Sequence, residues 1–227
     1  MRKHATAFAP RKALGMAALL LCSGLITVPG GLKADPATQT TIDANKAVLE
    51  KLPFKDRRDF ENAARGLLRK PDTLTIMGAD GRPVWDLESY KAFIKQDAPA
   101  PDSVNPSLWR NAQLLMNYGL FEVADGIYQV RGYDLANITF VRGNTGWIVF
   151  DAGSTAETAK AALDLVTQQF GARPVVAVVY SHPHLDHYGG VKGLISEEDA
   201  RSGKVRVITP EGFMENAVSE NVTTGNA

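Results

Sequence analysis

The stretch VVAVVYSHPHLDHYGG, residues 175–190, has the highest concentration of potential metal-binding side chains in the 227-residue chain. Residues 175–180 form a continuous apolar run rich in β-branched side chains, which predicts a strand buried on both faces of a sheet. The following segment SHPHLDH, residues 181–187, holds three of the four histidines and one aspartate. Because a loop at a strand end can turn alternate side chains toward one point, this spacing predicts a metal site.

The predicted metal ligands are His182, His184, Asp186 and His187. His182 and His184 can share one metal, and Asp186 and His187, one step further around the turn, can face a second. Imidazole nitrogen and carboxylate oxygen are good zinc ligands. Two zinc ions would activate water at neutral pH and hold the attacked group, so the pattern predicts hydrolysis. The alternative is a surface histidine cluster with a hydrogen-bonded aspartate.

The segment before this motif predicts a second strand, a turn and a helix. Residues 147–154, WIVFDAGS, are an apolar run that ends at Asp151. Ser154 and Glu157 have the spacing of a capping box, and apolar residues then follow at helical spacing until Gly171. The alternative for Asp151, taken by itself, is an aspartate that caps a turn.

The remaining elements divide the chain into two predicted regions. Residues 35–119 predict a helical arm, with helices in 37–70, 88–95 and 108–118, a hairpin over 74–87 and a Pro-rich linker at 98–106. Residues 120–227 predict a mixed α/β domain, with strands at 127–130, 138–142, 147–150, 175–180 and 205–208 and a short helix at 211–218.

Residues 1–34 predict a secretory signal peptide, because basic residues precede a 16-residue apolar run that ends before Pro29. That run is shorter than the roughly 20 residues of a membrane-spanning helix, so we expect cleavage rather than a stable anchor. Cleavage removes Cys22, the only cysteine, and five of the 25 basic residues, leaving 20 against 25 acidic residues. The resulting net charge of −5 argues against nucleic acid as a partner. We expect a periplasmic or secreted protein.

The motif His-x-His-x-Asp-His after an apolar strand resembles the metal motif of the metallo-β-lactamase superfamily, and Asp151-Ala152-Gly153 resembles that family's Asp-x-Gly turn. This resemblance implies an αββα sandwich, of which residues 120–227 would supply the first half. It also implies that Asp151 supports the metal loop without binding the metal itself.

Within that superfamily the chain resembles the linear alkyl sulfatases, from about Ala44 to the last residue. The segments that carry this resemblance are IYQVRGYD (127–134), NITFVRG (137–143), TAETA (155–159), RPV (173–175), SENV (219–222) and GNA (225–227). The helical arm is the discriminating feature, since compact lactamases lack it.

The resemblance implies a zinc-dependent hydrolase with two Zn²⁺ per complete site, which converts alkyl sulfate esters such as dodecyl sulfate to alcohol and sulfate. It also implies a homodimer, further domains and additional histidine and glutamate ligands downstream. No histidine follows His187, so we expect a truncated chain. Glu211, Glu215 and Glu220 are interpreted as solvated helix residues. The alternatives are another hydrolase of the same superfamily, or a zinc-binding fragment without catalysis.

Overall fold

A mixed seven-stranded sheet organises residues 36–223, the part of the chain that the computed structural model describes. The predicted signal peptide lies outside the described residues. Within the described residues, 37–223 form one compact unit. The strands are β1 Leu67–Arg69, β2 Thr75–Met77, β3 Pro83–Asp86, β4 Gly119–Ala124, β5 Ile127–Arg131, β6 Ile138–Arg142, β7 Trp147–Phe150, β8 Val175–Val179 and β9 Arg206–Ile208. The helices are α1 Gln39–Lys51, α2 Arg58–Ala64, α3 Leu87–Phe93, α4 Pro106–Leu115, α5 Ala156–Phe170, α6 Leu185–Tyr188, α7 Glu197–Arg201 and α8 Phe213–Thr223.

The sheet has the strand order β1-β4-β5-β6-β7-β8-β9, and β2 and β3 form a separate hairpin. Strands β5 to β7 form the predicted antiparallel meander, and β4, a strand not predicted from the sequence, extends it by one strand. Strands β8 and β9 run parallel to β7. Helix α5 connects β7 to β8, as a parallel pair requires a crossover. The carboxyl ends of β7 and β8 therefore lie side by side, with Phe150 opposite Val179.

The core lies between the sheet and α5. The helix buries Ala159, Ala162, Leu165 and Val166, which recur at the three- and four-residue spacing of one helix face. Trp147 is fully buried on the sheet and makes edge contacts with the rings of Tyr128 and Phe140. Each large apolar side chain buried in this way contributes about 1.5–3 kcal/mol. This packing fixes the crossover that carries the site.

The amino-terminal region confirms most predicted elements and corrects one. The hairpin and the helices around it form as expected, but residues 67–69 are strand β1 and not the end of a helix. Leu67 pairs with Phe121 of β4, so the main sheet extends into the segment predicted as the arm. Tertiary pairing has overridden the local helical spacing.

The capping box of α5 lies one residue later than predicted. Thr155 is the N-cap, and its side chain and that of Thr158 each accept from the other's backbone N–H. Ser154 is instead hydrogen-bonded to Asp134. The helix ends at Gly171, as predicted. Among residues 36–223, no helix is long and apolar enough to cross a membrane.

Candidate metal centre

Asp151 lies at the carboxyl end of β7 and reaches across to the next strand's loop. Its N–H donates to Val179 O at 2.9 Å, which continues the β7–β8 pairing by one residue. Its φ is 60°, the only positive value for a non-glycine residue in the described part of the chain. This conformation costs an L-residue about 1–2 kcal/mol. It aims the carboxylate at Ser181, whose N–H and hydroxyl donate to it at 2.8 and 2.9 Å.

The same carboxylate holds His187. Asp151 Oδ2 lies 2.9 Å from His187 Nδ1, and the two side chains are 15% and 20% exposed. A carboxylate can only accept, so this contact places a proton on Nδ1. The Nε2 atom of a neutral His187 is then unprotonated, which is the form that binds a metal.

The other two histidines lie beside each other and further out. His182 Nε2 is 3.0 Å from His184 Nδ1, and His182 Nδ1 is 2.9 Å from the Ser181 hydroxyl. The rings of His182 and His187 are 3.9 Å apart between centroids. His184 is 56% exposed. The cluster is therefore closed at its base, near Asp151, and open to solvent at its rim.

Two pairs of donor atoms in the cluster have separations close to those of two ligands on one metal ion. Two nitrogen ligands on one tetrahedral zinc ion, each about 2.0–2.1 Å from it, lie about 3.4 Å apart. The nitrogens of His182 and His184 lie at 3.0 Å, and His187 Nε2 lies 3.3 Å from Asp186 Oδ2. Within residues 36–223, however, no three histidine, aspartate or glutamate side chains converge as a metal-binding group. The assignment of these four residues as ligands stays a prediction.

Two glycines allow the histidine loop to pack directly against the turn after β7. A Cβ on Gly190 would lie 2.1 Å from Ala152 O, and a Cβ on Gly189 would lie 2.4 Å from Ser154 O. At this contact Gly190 N–H donates to Gly153 O at 2.9 Å. The backbones touch with no side chain between them, which holds the loop at a fixed distance from Asp151.

Glu220 reaches the cluster, contrary to its interpretation as a solvated helix residue. Its Oε1 lies 3.2 Å from His184 Nε2. Glu211 and Glu215 are exposed, as expected. Glu220 lies 36 positions after His184 in the chain, so this contact depends on how α8 packs. No local sequence pattern around Glu220 predicts it.

An aromatic group packs beneath the loop and separates it from solvent on that side. Tyr180 stacks on Phe213 of α8 at 5.4 Å between ring centroids and contacts Tyr188 at 6.0 Å. Burial raises the pKa of Tyr180 to about 12, so its hydroxyl stays neutral at physiological pH. Tyr188 also packs against Phe213, at 5.4 Å between ring centroids, so rings on both sides of the histidine motif contact α8.

Comparison with known proteins shows what this chain is similar to. Residues 131–225 match the family model of the metallo-β-lactamase superfamily. A linear primary-alkylsulfatase of a Pseudomonas species is 50% identical over 194 residues, which are 86% of this chain and 29% of that protein. An alkyl/aryl-sulfatase of Saccharomyces cerevisiae is 48% identical over 188 residues, 83% of this chain and 29% of that protein.

A solved structure agrees with these relatives. The stereoselective inverting sec-alkylsulfatase of a Pseudomonas species matches with a TM-score of 0.80 and 50% identity, covering 86% of this chain and 30% of that chain. The chain thus spans less than a third of the length of the curated relatives it matches.

The sheet, the crossover and the histidine loop therefore define a metallo-β-lactamase fold preceded by helices, and the fold class predicted from the sequence is confirmed. This superfamily implies bound metal ions. Within it, the chain is a homologue of the alkylsulfatases, so the resemblance stated from the sequence segments is also confirmed.

Proposed function

We propose that this chain is part of a zinc-dependent hydrolase of linear alkyl sulfate esters, such as dodecyl sulfate, which yields an alcohol and sulfate. The observation that carries the proposal is the 50% identity to an alkylsulfatase over 86% of the chain, which includes both the amino-terminal helices and the histidine loop. The chemistry of the loop supports it, because imidazole and carboxylate are zinc ligands and the substrate is an anion.

The residues have distinct roles in this proposal. His182 and His184 would hold one zinc ion, and Asp186 and His187 a second. When bound, zinc would lower the pKa of water and neutralise charge on the sulfate ester. Asp151 keeps the Nδ1 proton of His187 in place through its 2.9 Å contact and so presents Nε2. The open rim near His184 leaves room for a substrate to approach.

The proposal includes export and assembly. Residues 1–34 would be removed as a signal peptide, and the mature protein would act in the periplasm or outside the cell without a stable membrane anchor. A mature chain without cysteine suits an oxidising compartment, since it has no thiol to oxidise. The partners would be a small alkyl sulfate substrate and a second copy in a homodimer.

Release of inorganic sulfate from dodecyl sulfate tests the activity. The zinc-loaded whole protein, of which this chain is part, should hydrolyse this ester and leave nitrocefin and a phosphodiester intact. His182→Ala and Asp186→Ala should each abolish turnover. Asp164→Asn is the control, because Asp164 lies on the exposed face of α5 and, among residues 36–223, its ion pair is with Lys160. Hydrolysis of nitrocefin or the phosphodiester in place of the sulfate ester would show a different substrate class.

A zinc-binding chain without catalysis is the second candidate. One observation favours it: within the described residues the donors meet in pairs and no three converge. Elemental analysis separates the candidates. Two zinc ions per chain, lost in the two alanine variants, support a binuclear hydrolytic site. One weakly held ion without sulfate release supports the second candidate.

A further inference from the structure

A buried carboxylate lies beside the predicted metal loop and has no assigned role. Asp134, in the connection between β5 and β6, is 6% exposed. It takes part in none of the ion pairs within residues 36–223. A buried charge without a cationic partner is costly unless hydrogen bonds satisfy it. Interactions of the Asp134 carboxylate must therefore offset the cost of its burial.

Four donors surround this carboxylate. Leu135 N–H and the Ser154 hydroxyl donate to Oδ1 at 2.7 and 2.6 Å, and Ser154 N–H donates to Oδ2 at 2.8 Å. The Thr158 hydroxyl donates to Oδ2 as well. Thr158 lies in the first turn of α5, where the helix dipole favours a negative charge. The carboxylate thus joins the β5–β6 connection to the start of α5.

The same carboxylate sets the position of the turn after β7. Gly153 has a φ of +69°, and a Cβ there would lie 2.8 Å from Asp134 Oδ2. With Ser154 bound on one side and Gly153 in contact on the other, Asp134 fixes the carboxyl end of this turn.

The turn passes this constraint to the histidine loop. Gly153 O accepts from Gly190 N–H at 2.9 Å, and Ala152 N–H donates to His187 O at 2.8 Å. The carboxylate of Asp151 binds the His187 imidazole. Both the backbone and the ring of His187 are therefore held by a turn whose far end is anchored by Asp134.

We propose that Asp134 is a positioning residue for the candidate metal centre, which acts through the 151–154 turn to keep the His187 ring and its Nδ1 proton in place. The proposal rests on the proposed metal-dependent function for its consequence in catalysis. Its structural content, the orientation of His187, can be measured without metal or substrate.

A carboxylate is required because two of the four donors are backbone N–H groups on different oxygens. The Ser154 and Thr158 hydroxyls can rotate to donate or accept, but the N–H groups of Leu135 and Ser154 cannot. Asparagine has one acceptor oxygen, so one backbone N–H would face an NH₂ group. Asp134→Asn keeps the size of the side chain and introduces this mismatch, which should loosen the turn.

The test is the imidazole ¹⁵N spectrum of the metal-free chain at one fixed pH. In the wild type, His187 should be in the Nδ1–H form. In Asp134→Asn, we expect at least about a twofold change in the His187 tautomer ratio toward Nε2–H. Asp86→Asn is the matched control, because Asp86 also accepts from a backbone N–H and a hydroxyl, those of Ser89 and Thr75, but in the amino-terminal hairpin. It should leave His187 unchanged.

Ser154→Ala keeps the test falsifiable where Asp134→Asn fails to fold. It removes one hydroxyl donor and keeps the backbone N–H, so the His187 ratio should move in the same direction by a smaller amount. An unchanged His187 spectrum in folded Asp134→Asn, or in Ser154→Ala if the first variant does not fold, would overturn the proposal.

Zinc affinity supplies the second readout. Partners of a metal ligand typically affect affinity by about 10–100-fold, and Asp134 acts one step further away, so we expect a loss of about 3–10-fold. If the wild-type chain binds no zinc, the proposed function fails while the tautomer result still decides the role of Asp134.

Discussion

Replacing Gly190 by alanine tests whether backbone contact holds the histidine loop. Gly190 is buried and has a φ of −82°, so alanine meets no conformational strain there. The added Cβ, however, would lie 2.1 Å from Ala152 O, 2.5 Å from Thr155 O and 2.9 Å from Ala159 Cβ. A carbon and a carbonyl oxygen ordinarily approach to about 3.3 Å. The loop must therefore move by about 1 Å.

The magnitude follows from three terms. Overpacking of this kind costs about 1–3 kcal/mol. The movement also weakens the hydrogen bonds from Gly190 N–H to Gly153 O and from Ala152 N–H to His187 O, at about 1 kcal/mol each. The smaller entropy of the unfolded alanine chain offsets about 0.4–1 kcal/mol. The free energy of unfolding should fall by about 2–5 kcal/mol.

Urea denaturation followed by circular dichroism measures this change, with Gly203→Ala as the matched control. Gly203 has a φ of +75° and open space where a Cβ would be, so its substitution should cost only the left-handed strain of about 1–2 kcal/mol. Zinc binding should weaken in Gly190→Ala and stay unchanged in Gly203→Ala. The reasoning is refuted if Gly190→Ala is no less stable than Gly203→Ala.

Three further changes have defined outcomes. Asp151→Asn should weaken zinc binding by about 10–100-fold in a chelator competition, because the amide no longer fixes the His187 proton; a wild-type affinity would contradict this role. Tyr180→Phe should flatten the alkaline loss of stability: an unfolded tyrosine ionises near pH 10 and the folded one near 12, so wild-type stability falls between these values. Urea midpoints of the two proteins should therefore diverge above pH 10, and parallel curves would contradict the assignment. Ile208→Lys should reduce self-association in sedimentation velocity, because Ile208 is 47% exposed on β9, a strand with no further neighbour in the described sheet; a monomeric wild type would contradict this.

Local sequence patterns predicted the elements that build the candidate site. The apolar run before Ser181 predicted β8, the run before Asp151 predicted β7, and the apolar residues before Gly171 predicted α5. These patterns are predictive because burial of one face repeats apolar residues every two positions along a strand and every 3.6 positions along a helix. The three histidines are close together in the sequence, so the prediction of the candidate site needed only one further condition. That condition was that the carboxyl ends of β7 and β8 lie side by side.

Other features depend on contacts between distant parts of the chain, and no local pattern reports them. Strand β1 forms because Leu67 meets Phe121, 54 positions later. The N-cap of α5 is Thr155 and not Ser154, although both residue types are good caps, because Asp134 binds Ser154 from another strand connection. The contact of Glu220 with His184 requires α8 to be packed.

The crossover from β7 through α5 to β8 has a consequence for when a metal can bind. Asp151 and Ser181 stand 30 positions apart and meet only when β7 and β8 have paired. An unfolded chain therefore presents the three histidines without the carboxylate that orients His187. A metal that binds only after the two strands have paired would stabilise the folded chain, and its free energy of unfolding would rise with the logarithm of the free metal concentration. If the proposed export takes place before β7 and β8 pair, the metal would bind only after translocation.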